Sequence, residues 1–263
     1  MKIGCCHRGQ GPLVCLGLLF SWHSGQPSLT EVSRGVCYLP ACGIRGVSER
    51  MVMAPNPRFE RPASNARNSK AHRYDVFGPK VSRGLTIFGL PALLAWTGLE
   101  ADPSVETYCE RPLVIPETSR IVDFWVRRKD SECFVILLRQ SELPEEGKIS
   151  LPKKVQSWLD ASRTPVVLVD PADDVRRLVL LENWGSIIRD LSAFARYVPR
   201  VLSEEVHKAI EDGLALEQLE QDFDDQDPVL ARVALFSLLH QGLALCPQLE
   251  HSPLNSSMTF TPA

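Results

Sequence analysis

The chain has 263 residues, of which 44% are apolar and 23% are charged, and its formal net charge is −3. This composition excludes an intrinsically disordered chain, and the length allows one large domain or two small ones. Charge is distributed unevenly: residues 51–83 contain seven basic and two acidic residues, whereas residues 203–227 contain ten acidic residues and one lysine. A basic stretch towards one end is therefore separated from an acidic, helical stretch towards the other.

Residues 1–50 differ from the rest of the chain in composition and in hydrophobic pattern. They contain five of the eight cysteines, lack clean periodicity, and have one apolar run, at 12–20, about half as long as a membrane span. Three interpretations stay open: a start-site artefact upstream of Met51 or Met53, an unstructured leader, and a secretory signal. The remaining cysteines match no zinc spacing and suit a reducing compartment, so we expect a cytoplasmic protein without a membrane partner.

Residues 51–83 are polar, basic and rich in Pro, Asn and Ser, which predicts an extended arm. Aromatic side chains are interleaved with the cations, a pattern that suits contact with a phosphate backbone, although basic tails also serve solubility. The candidate DNA-binding residues are Arg58, Arg61, Arg67, Lys70, Arg73, Lys80 and Arg83.

Residues 84–198 predict a mixed α/β core. An apolar stretch over about 90–100 predicts a helix that ends before Asp102-Pro103, and residues 150–162 predict an amphipathic helix. Strand patterns follow at 105–109, 112–116, 120–127, 132–139 and 164–170. The last of these is continuously apolar, as expected of a strand that is buried on both faces of a sheet.

Residues 199–263 predict a helical domain. Ser203, followed by two glutamates, predicts the start of a helix that runs to about 220. A second helix is predicted over 228–241 with Gly242 at its C-terminal end, and a strand-like Met-Thr-Phe follows near the end of the chain. Two helices followed by a hairpin are the order of a winged-helix module.

Three motifs follow one another between residues 99 and 138. They are Asp102-Pro103-Ser104-Val105, Glu110-Arg111-Pro112 and Asp123-Phe124, the last followed by an apolar closing strand. In order and spacing they resemble the TnsA-type endonuclease subunit of heteromeric transposases, and the resemblance covers about 55–198. It implies a restriction-endonuclease-like mixed-sheet core over 84–198, followed by a winged-helix-like C-terminal domain over 199–263.

Nucleases of this fold hold one or two Mg²⁺ ions through a helix Glu, a strand Asp, and a Glu or Gln on the neighbouring strand. Two residues after that last ligand, a Lys orients or activates the attacking water. The resemblance puts the strand Asp at Asp123, which is the catalytic and metal-ligand candidate. The helix Glu falls at Ala92, the second strand ligand at Leu137 and the Lys at Arg139, so the implied active site is degenerate.

Asp123 has two interpretations: a remnant of the metal site, or an ordinary charge at the start of a strand. Magnesium needs several oxygen ligands, and neither Ala92 nor Leu137 supplies one. Arg139 keeps its proton at any relevant pH. Asp170, Asp173 and Asp174 could supply ligands that have moved, but their position favours capping of the next helix. We therefore expect no cofactor, with Mg²⁺ required only if the chain is an endonuclease.

The resemblance implies a DNA transposition protein that is non-catalytic or weakly catalytic. Its expected partners are the DNA of transposon ends and a partner transposase subunit, with no small-molecule substrate. Two alternatives stay open: a Mg²⁺-dependent DNA endonuclease with rearranged ligands, and a DNA-binding regulator unconnected with transposition. Whether the chain is an enzyme is left undecided by its residues.

Overall fold

The computed structural model describes residues 58–64, 71–143 and 149–263. The interpretations of residues 1–50 lie outside the described residues, as do two of the candidate DNA-binding residues, Arg67 and Lys70. In the described part of the chain, no helix has the length and apolar character that crossing a membrane requires.

The first two strands form an antiparallel hairpin, in which β1 (Arg73–Gly78) pairs with β2 (Arg83–Phe88). A short 3₁₀ helix, Pro79–Val81, joins them. The structure thus places residues 73–83 in a hairpin, where the sequence predicts an extended arm. Alternate side chains of β1, those of Tyr74 and Val76, pack against the core, and this burial stabilises the strand.

Helix α1 (Leu90–Ala101) confirms the helix predicted over 90–100. It begins after Gly89, whose φ of 89° lies in the region that favours glycine, and it has a proline in its first turn. The helix buries Trp96, Thr97 and Glu100.

A four-stranded mixed sheet follows, so the predicted mixed α/β class is confirmed. Its strands are β3 (Val105–Glu110), β4 (Phe124–Arg128), β5 (Ser131–Leu137) and β6 (Val166–Val169), in the order β3-β4-β5-β6. The first two pairings are antiparallel, and β6 lies parallel to β5. The strand predicted over 112–116 is wrong: it forms only an isolated bridge between Val114 and Ile121. Prolines at both ends of this segment cannot donate ladder hydrogen bonds.

The two faces of this sheet enter different hydrophobic clusters. One face, which includes Phe124 and Val135, packs in the larger cluster with α1 and the later helices. The other, which includes Trp125 and Phe134, packs against α2 (Lys153–Ala161), the helix predicted over 150–162. Alternation along β4 therefore distributes its side chains between the two clusters.

Two helices follow β6: α3 (Pro171–Arg176) and α4 (Leu178–Phe194). The Asp170 side chain accepts a hydrogen bond from the backbone N–H of Ala172, at 2.9 Å, and so caps α3 as predicted.

The C-terminal residues form three helices and a small sheet. The elements are α5 (Arg200–Ala209), β7 (Leu214–Ala215), α6 (Leu216–Asp222), α7 (Pro228–His240), β8 (Ala244–Leu245) and β9 (Thr259–Pro262). The strands lie in the order β7-β9-β8. Helix α7 and the positive φ of Gly242 (73°) confirm the predicted helix and its end.

The single helix predicted from Ser203 to about 220 is wrong. Helix α5 begins after Pro199, three residues earlier, and the chain turns at Gly213, whose φ is 80°. A left-handed glycine interrupts helical hydrogen bonding, so α6 is a separate helix.

Helix α7 joins the C-terminal residues to the sheet. Its side chains, among them Val233 and Phe236, are buried in the same cluster as Leu85 of the hairpin and Trp96 of α1. Side chains from both stretches that the sequence predicts as separate domains thus share one core.

Candidate functional site

Asp123 lies where three strands of the mixed sheet meet. Its backbone N–H donates to the carbonyl of Val135, at 3.1 Å, and its carbonyl accepts from Arg111, at 2.8 Å. The Oδ2 atom of its carboxylate accepts from the backbone N–H of Leu137, at 2.8 Å. The main chain at Asp123 is therefore fixed by the end of β3 and by β5, and its side chain is held by the N–H of Leu137 at the end of β5.

The carboxyl group of Asp123 loses its proton less readily than that of an ordinary aspartate. Burial raises its pKa to about 6, and the nearby carboxylate of Glu142 adds to the effect. The hydrogen bond from Leu137 and the charges of Arg120 and Arg139 oppose the rise without cancelling it. At neutral pH the group is a partly buried carboxylate, and Arg120, Arg139 and Glu142 lie near enough to affect its charge.

The three positions paired with Asp123 by the resemblance offer no metal ligand. Ala92 lies in α1 and packs against the larger cluster, and Leu137 is buried at the end of β5. Arg139 is exposed and follows that strand. Within residues 58–64, 71–143 and 149–263, no group of three or more His, Cys, Asp or Glu side chains could hold a metal ion. Magnesium binds several oxygen ligands, and the side chains at these three positions supply none of them.

Arg120 and Glu142 form a buried ion pair beside Asp123. Their side chains are 8% and 6% exposed, and Nη2 of Arg120 lies 3.3 Å from Oε2 of Glu142. The same Nη2 donates to the carbonyl of Leu137 at 2.5 Å, and the backbone N–H of Arg139 donates to Glu142 at 2.8 Å. The Nε of Arg120 is buried and has no hydrogen-bond partner among the described residues.

Two further arginines, Arg83 of the hairpin and Arg111 after β3, lie at the end of β3. Arg83 donates to Oε1 of the buried Glu110 at 2.7 Å, and a second bond joins the two side chains. The guanidinium of Arg111 lies 4.8 Å from the ring centroid of Phe88. The φ of Arg111 is 49°, in the left-handed region, so the backbone turns sharply just after the end of β3.

Most of the candidate DNA-binding residues that the structure describes contact other groups of the protein. Arg67 and Lys70 lie outside the described residues, and Arg61 is exposed. The other four contact groups of the protein: Arg58 contacts Glu132 and Thr164, Arg73 contacts Asp75, Lys80 contacts the Asp102 carbonyl, and Arg83 contacts Glu110. Pairing with carboxylates lowers the charge that these arginines present to a phosphate backbone.

Sequence reasoning missed a polar network in the core. Glu100 is fully buried in α1, where its carboxylate accepts from the hydroxyl of Tyr108 and lies 2.8 Å from Nε2 of His240. Trp96 Nε1 donates to that hydroxyl at 2.7 Å. An isolated glutamate in an otherwise apolar helix was the available signal, because a buried charge requires partners.

Lys80 lies beside this network, at a cleft of about 520 Å³ between the hairpin and the end of α7. Burial lowers the pKa of its amine to about 8, although Glu100 and Asp102 oppose the shift. The amine donates to the backbone carbonyl of Asp102. The Lys80 side chain therefore links the hairpin to the C-terminal end of α1.

Comparison with known proteins adds no relative: neither a family model nor a curated protein matches the chain.

Proposed function

We propose that the chain is a TnsA-like DNA transposition protein that binds transposon DNA and a partner transposase, with little or no strand cleavage of its own. One observation supports this most directly. Asp123 and Leu137, the two strand positions that the resemblance pairs as metal ligands, are 14 residues apart in sequence and in contact in the fold, at 2.8 Å. The geometry suits a nuclease scaffold in which the second ligand is missing.

The order of elements around Asp123 supports a restriction-endonuclease-like core. Helix α1, the antiparallel strands β3, β4 and β5, helix α2 and the parallel strand β6 follow one another. The carboxylate lies at the start of the second strand, beside the end of the third. This is the placement that the resemblance implies for a strand Asp and a ligand on the neighbouring strand.

The C-terminal elements support a winged-helix-like domain, because three helices and three short strands occur in the order α5-β7-α6-α7-β8-β9. Helix α7 would be the DNA-recognition helix of such a module. None of its 13 residues is exposed, since its apolar side chains pack in the core. The helix therefore suits packing within this chain better than entry into a DNA groove.

The site argues against hydrolysis by the usual metal mechanism. One carboxylate, already bonded to a backbone N–H, cannot replace the oxygen ligands that magnesium needs. Arg139, at the position of the Lys, cannot accept a proton from water. Arg139 can hold charge and help to position a strand, but it provides no base beside a metal-activated water.

A plasmid-nicking assay tests the proposal. We expect the purified chain to leave supercoiled DNA intact in Mg²⁺ or Mn²⁺, and to match an Asp123→Ala variant. Metal-dependent cleavage that this variant loses would establish the endonuclease alternative instead. In a gel mobility-shift assay, we also expect the chain to bind a DNA duplex, with an affinity that falls as the salt concentration rises.

The genes beside this reading frame test the link to transposition. Neighbouring genes for a transposase and an ATPase would support it, and co-purification with that transposase would identify the partner. DNA binding without such neighbours would favour the regulator alternative.

A further inference from the structure

Strand β6 lies at one edge of the four-stranded sheet. Its inner side pairs with β5, and among the described residues no strand pairs with its outer side. The carbonyls of Pro165 and Val169 accept hydrogen bonds from backbone N–H groups on the β5 side, at 2.8 and 2.9 Å. Because backbone groups alternate along a strand, the N–H and carbonyl groups of Val166 and Leu168 point away from the sheet. This edge therefore offers two donors and two acceptors to a further strand.

The composition of β6 does not protect this edge against pairing. The strand consists of Val-Val-Leu-Val, without charge, proline or glycine. Strand β3, at the opposite edge of the sheet, carries the exposed Glu106 and has an irregular register between Val105 and Thr107. Charged side chains and bulges are common protections of an exposed edge, and β6 has neither.

Apolar side chains are exposed on β6 and on the two helices that follow it. Val167 is 42% exposed, Val175 of α3 is 60% exposed and Leu178 of α4 is 40% exposed. Val167 lies on the same face of the sheet as Val169, which packs against the larger cluster. A strand that paired with β6 would cover Val167 and remove apolar surface from water, which favours pairing.

Two copies of β6 fit each other in an antiparallel register centred on Val167. In this register Val166 of each copy lies opposite Leu168 of the other, and the two residues exchange both of their backbone hydrogen bonds. Val167 lies opposite its own counterpart in a non-hydrogen-bonded pair, the type in which facing side chains are closest. The exposed valine is then buried at the two-fold axis of an isologous interface.

The charges at the two ends of β6 favour the antiparallel direction. Arg163 precedes the strand and is exposed, whereas Asp170 and Asp173 follow it. Antiparallel pairing brings the Arg163 end of each copy to the acidic end of the other, while parallel pairing would bring like charges together. Asp173 already pairs with Arg176 at 2.7 Å, but this ion pair is exposed and therefore weak.

We propose that β6 is a dimerisation strand, which pairs antiparallel with β6 of a second copy and joins two four-stranded sheets into one sheet of eight strands. The inference goes beyond the proposed function and does not depend on it, because none of the residues in the contact belongs to the Asp123 site. The strand is short and the interface is small, so we expect a dissociation constant of roughly 1–100 µM.

Sedimentation velocity of the full chain in reducing buffer, over a range of protein concentrations, tests the proposal. Wild type should change from monomer to dimer as the concentration rises through this range. Val167→Lys should weaken dimerisation by about tenfold or more, because two like charges replace two apolar side chains at the two-fold axis. The matched control is Val201→Lys, which adds the same charge at a 63% exposed valine of α5 and should dimerise like wild type.

Charge reversal at the ends of the strand tests its direction. Arg163→Glu should weaken dimerisation severalfold, because it places an acid of each copy at the acidic end of the other. Adding Asp173→Arg to that variant restores opposite charges and should recover part of the loss. No recovery would contradict the antiparallel register.

A disulfide between copies tests the register itself. A disulfide needs Cα atoms about 4.4–6.8 Å apart, and a non-hydrogen-bonded antiparallel pair supplies about 4.5 Å. Under mild oxidation, Val167→Cys should therefore form a covalent dimer on a non-reducing gel. Wild type and Val201→Cys, oxidised in the same way, give the background from the native cysteines.

Two results would overturn the proposal. Wild type that stays monomeric at about 100 µM would show that β6 does not pair with a second copy at the expected affinity. A dimer that Val167→Lys does not weaken, or that Val167→Cys does not cross-link above background, would place the interface on another surface. Near-ultraviolet circular dichroism confirms that each variant is folded, and if Val167→Lys is not, Arg163→Glu and Val167→Cys decide. Loss of DNA binding would overturn the proposed function and leave these expectations unchanged.

Discussion

Replacing Asp123 with asparagine should stabilise the protein, and the gain should grow with pH. The pKa of this carboxyl is about 6 in the fold, against an ordinary value of 3.8, chiefly because the group is buried. Between these values the folded protein binds more protons than the unfolded chain, so its stability falls as pH rises. Asparagine carries no charge at any pH, and its side-chain oxygen can still accept from Leu137.

The size of the gain follows from the two pKa values. A difference of about 2 units at 1.36 kcal/mol per unit corresponds to about 3 kcal/mol once the carboxyl is ionised in both states. Linkage makes the gain about 1 kcal/mol at roughly pH 4.5 and about 3 kcal/mol at roughly pH 8. For a chain of this length, the larger value raises Tm by about 6–12 °C.

Urea titrations of wild type and Asp123→Asn at several pH values between about 4.5 and 8 measure this difference. Asp225→Asn is the matched control, because that carboxyl is exposed, and its effect should stay within about 0.5 kcal/mol at every pH. A gain that does not change with pH, or a variant less stable than wild type at pH 8, would refute the argument that burial destabilises the ionised carboxylate.

Two further predictions concern contacts between secondary-structure elements in the core. Gly242→Ala should cost about 1–3 kcal/mol, because the φ is 73° and the new Cβ would lie 2.8 Å from Pro103 Cβ, whereas Gly84→Ala meets open space and should be nearly neutral. Equal urea midpoints for the two variants would contradict this. Tyr108→Phe removes the hydroxyl that donates to the buried Glu100 and should also cost about 1–3 kcal/mol. A thermal melt unchanged from wild type would show that the carboxylate finds another donor.

Local patterns in the sequence were sufficient to predict many of the helices and strands. Helix α1, helix α2 and helix α7 follow from apolar periodicity with Pro and Gly at their ends, and β5 and β6 follow from short runs of apolar residues. These signals are local, since periodicity determines which face of an element is buried, and proline and glycine limit its backbone angles. The errors have different causes. The turn at Gly213 has a local signal, the glycine itself, which the prediction of one long helix did not use. Strand β1 is stabilised by the packing of Tyr74 and Val76 against core residues that are distant in sequence.

The tertiary structure alone decided what surrounds Asp123 and where the charges pair. The resemblance in the sequence predicted that Asp123 and Leu137 occupy neighbouring strand positions, but the sequence did not predict the ion pair of Arg120 with Glu142 beside them. Contacts such as Arg83 with Glu110, or Glu100 with His240 at a separation of 140 residues, leave no periodic trace. Electrostatic energy depends on distance and burial, and packing of the sheet against the helices sets both. A charge count of the basic stretch therefore could not show which of its cations are already paired.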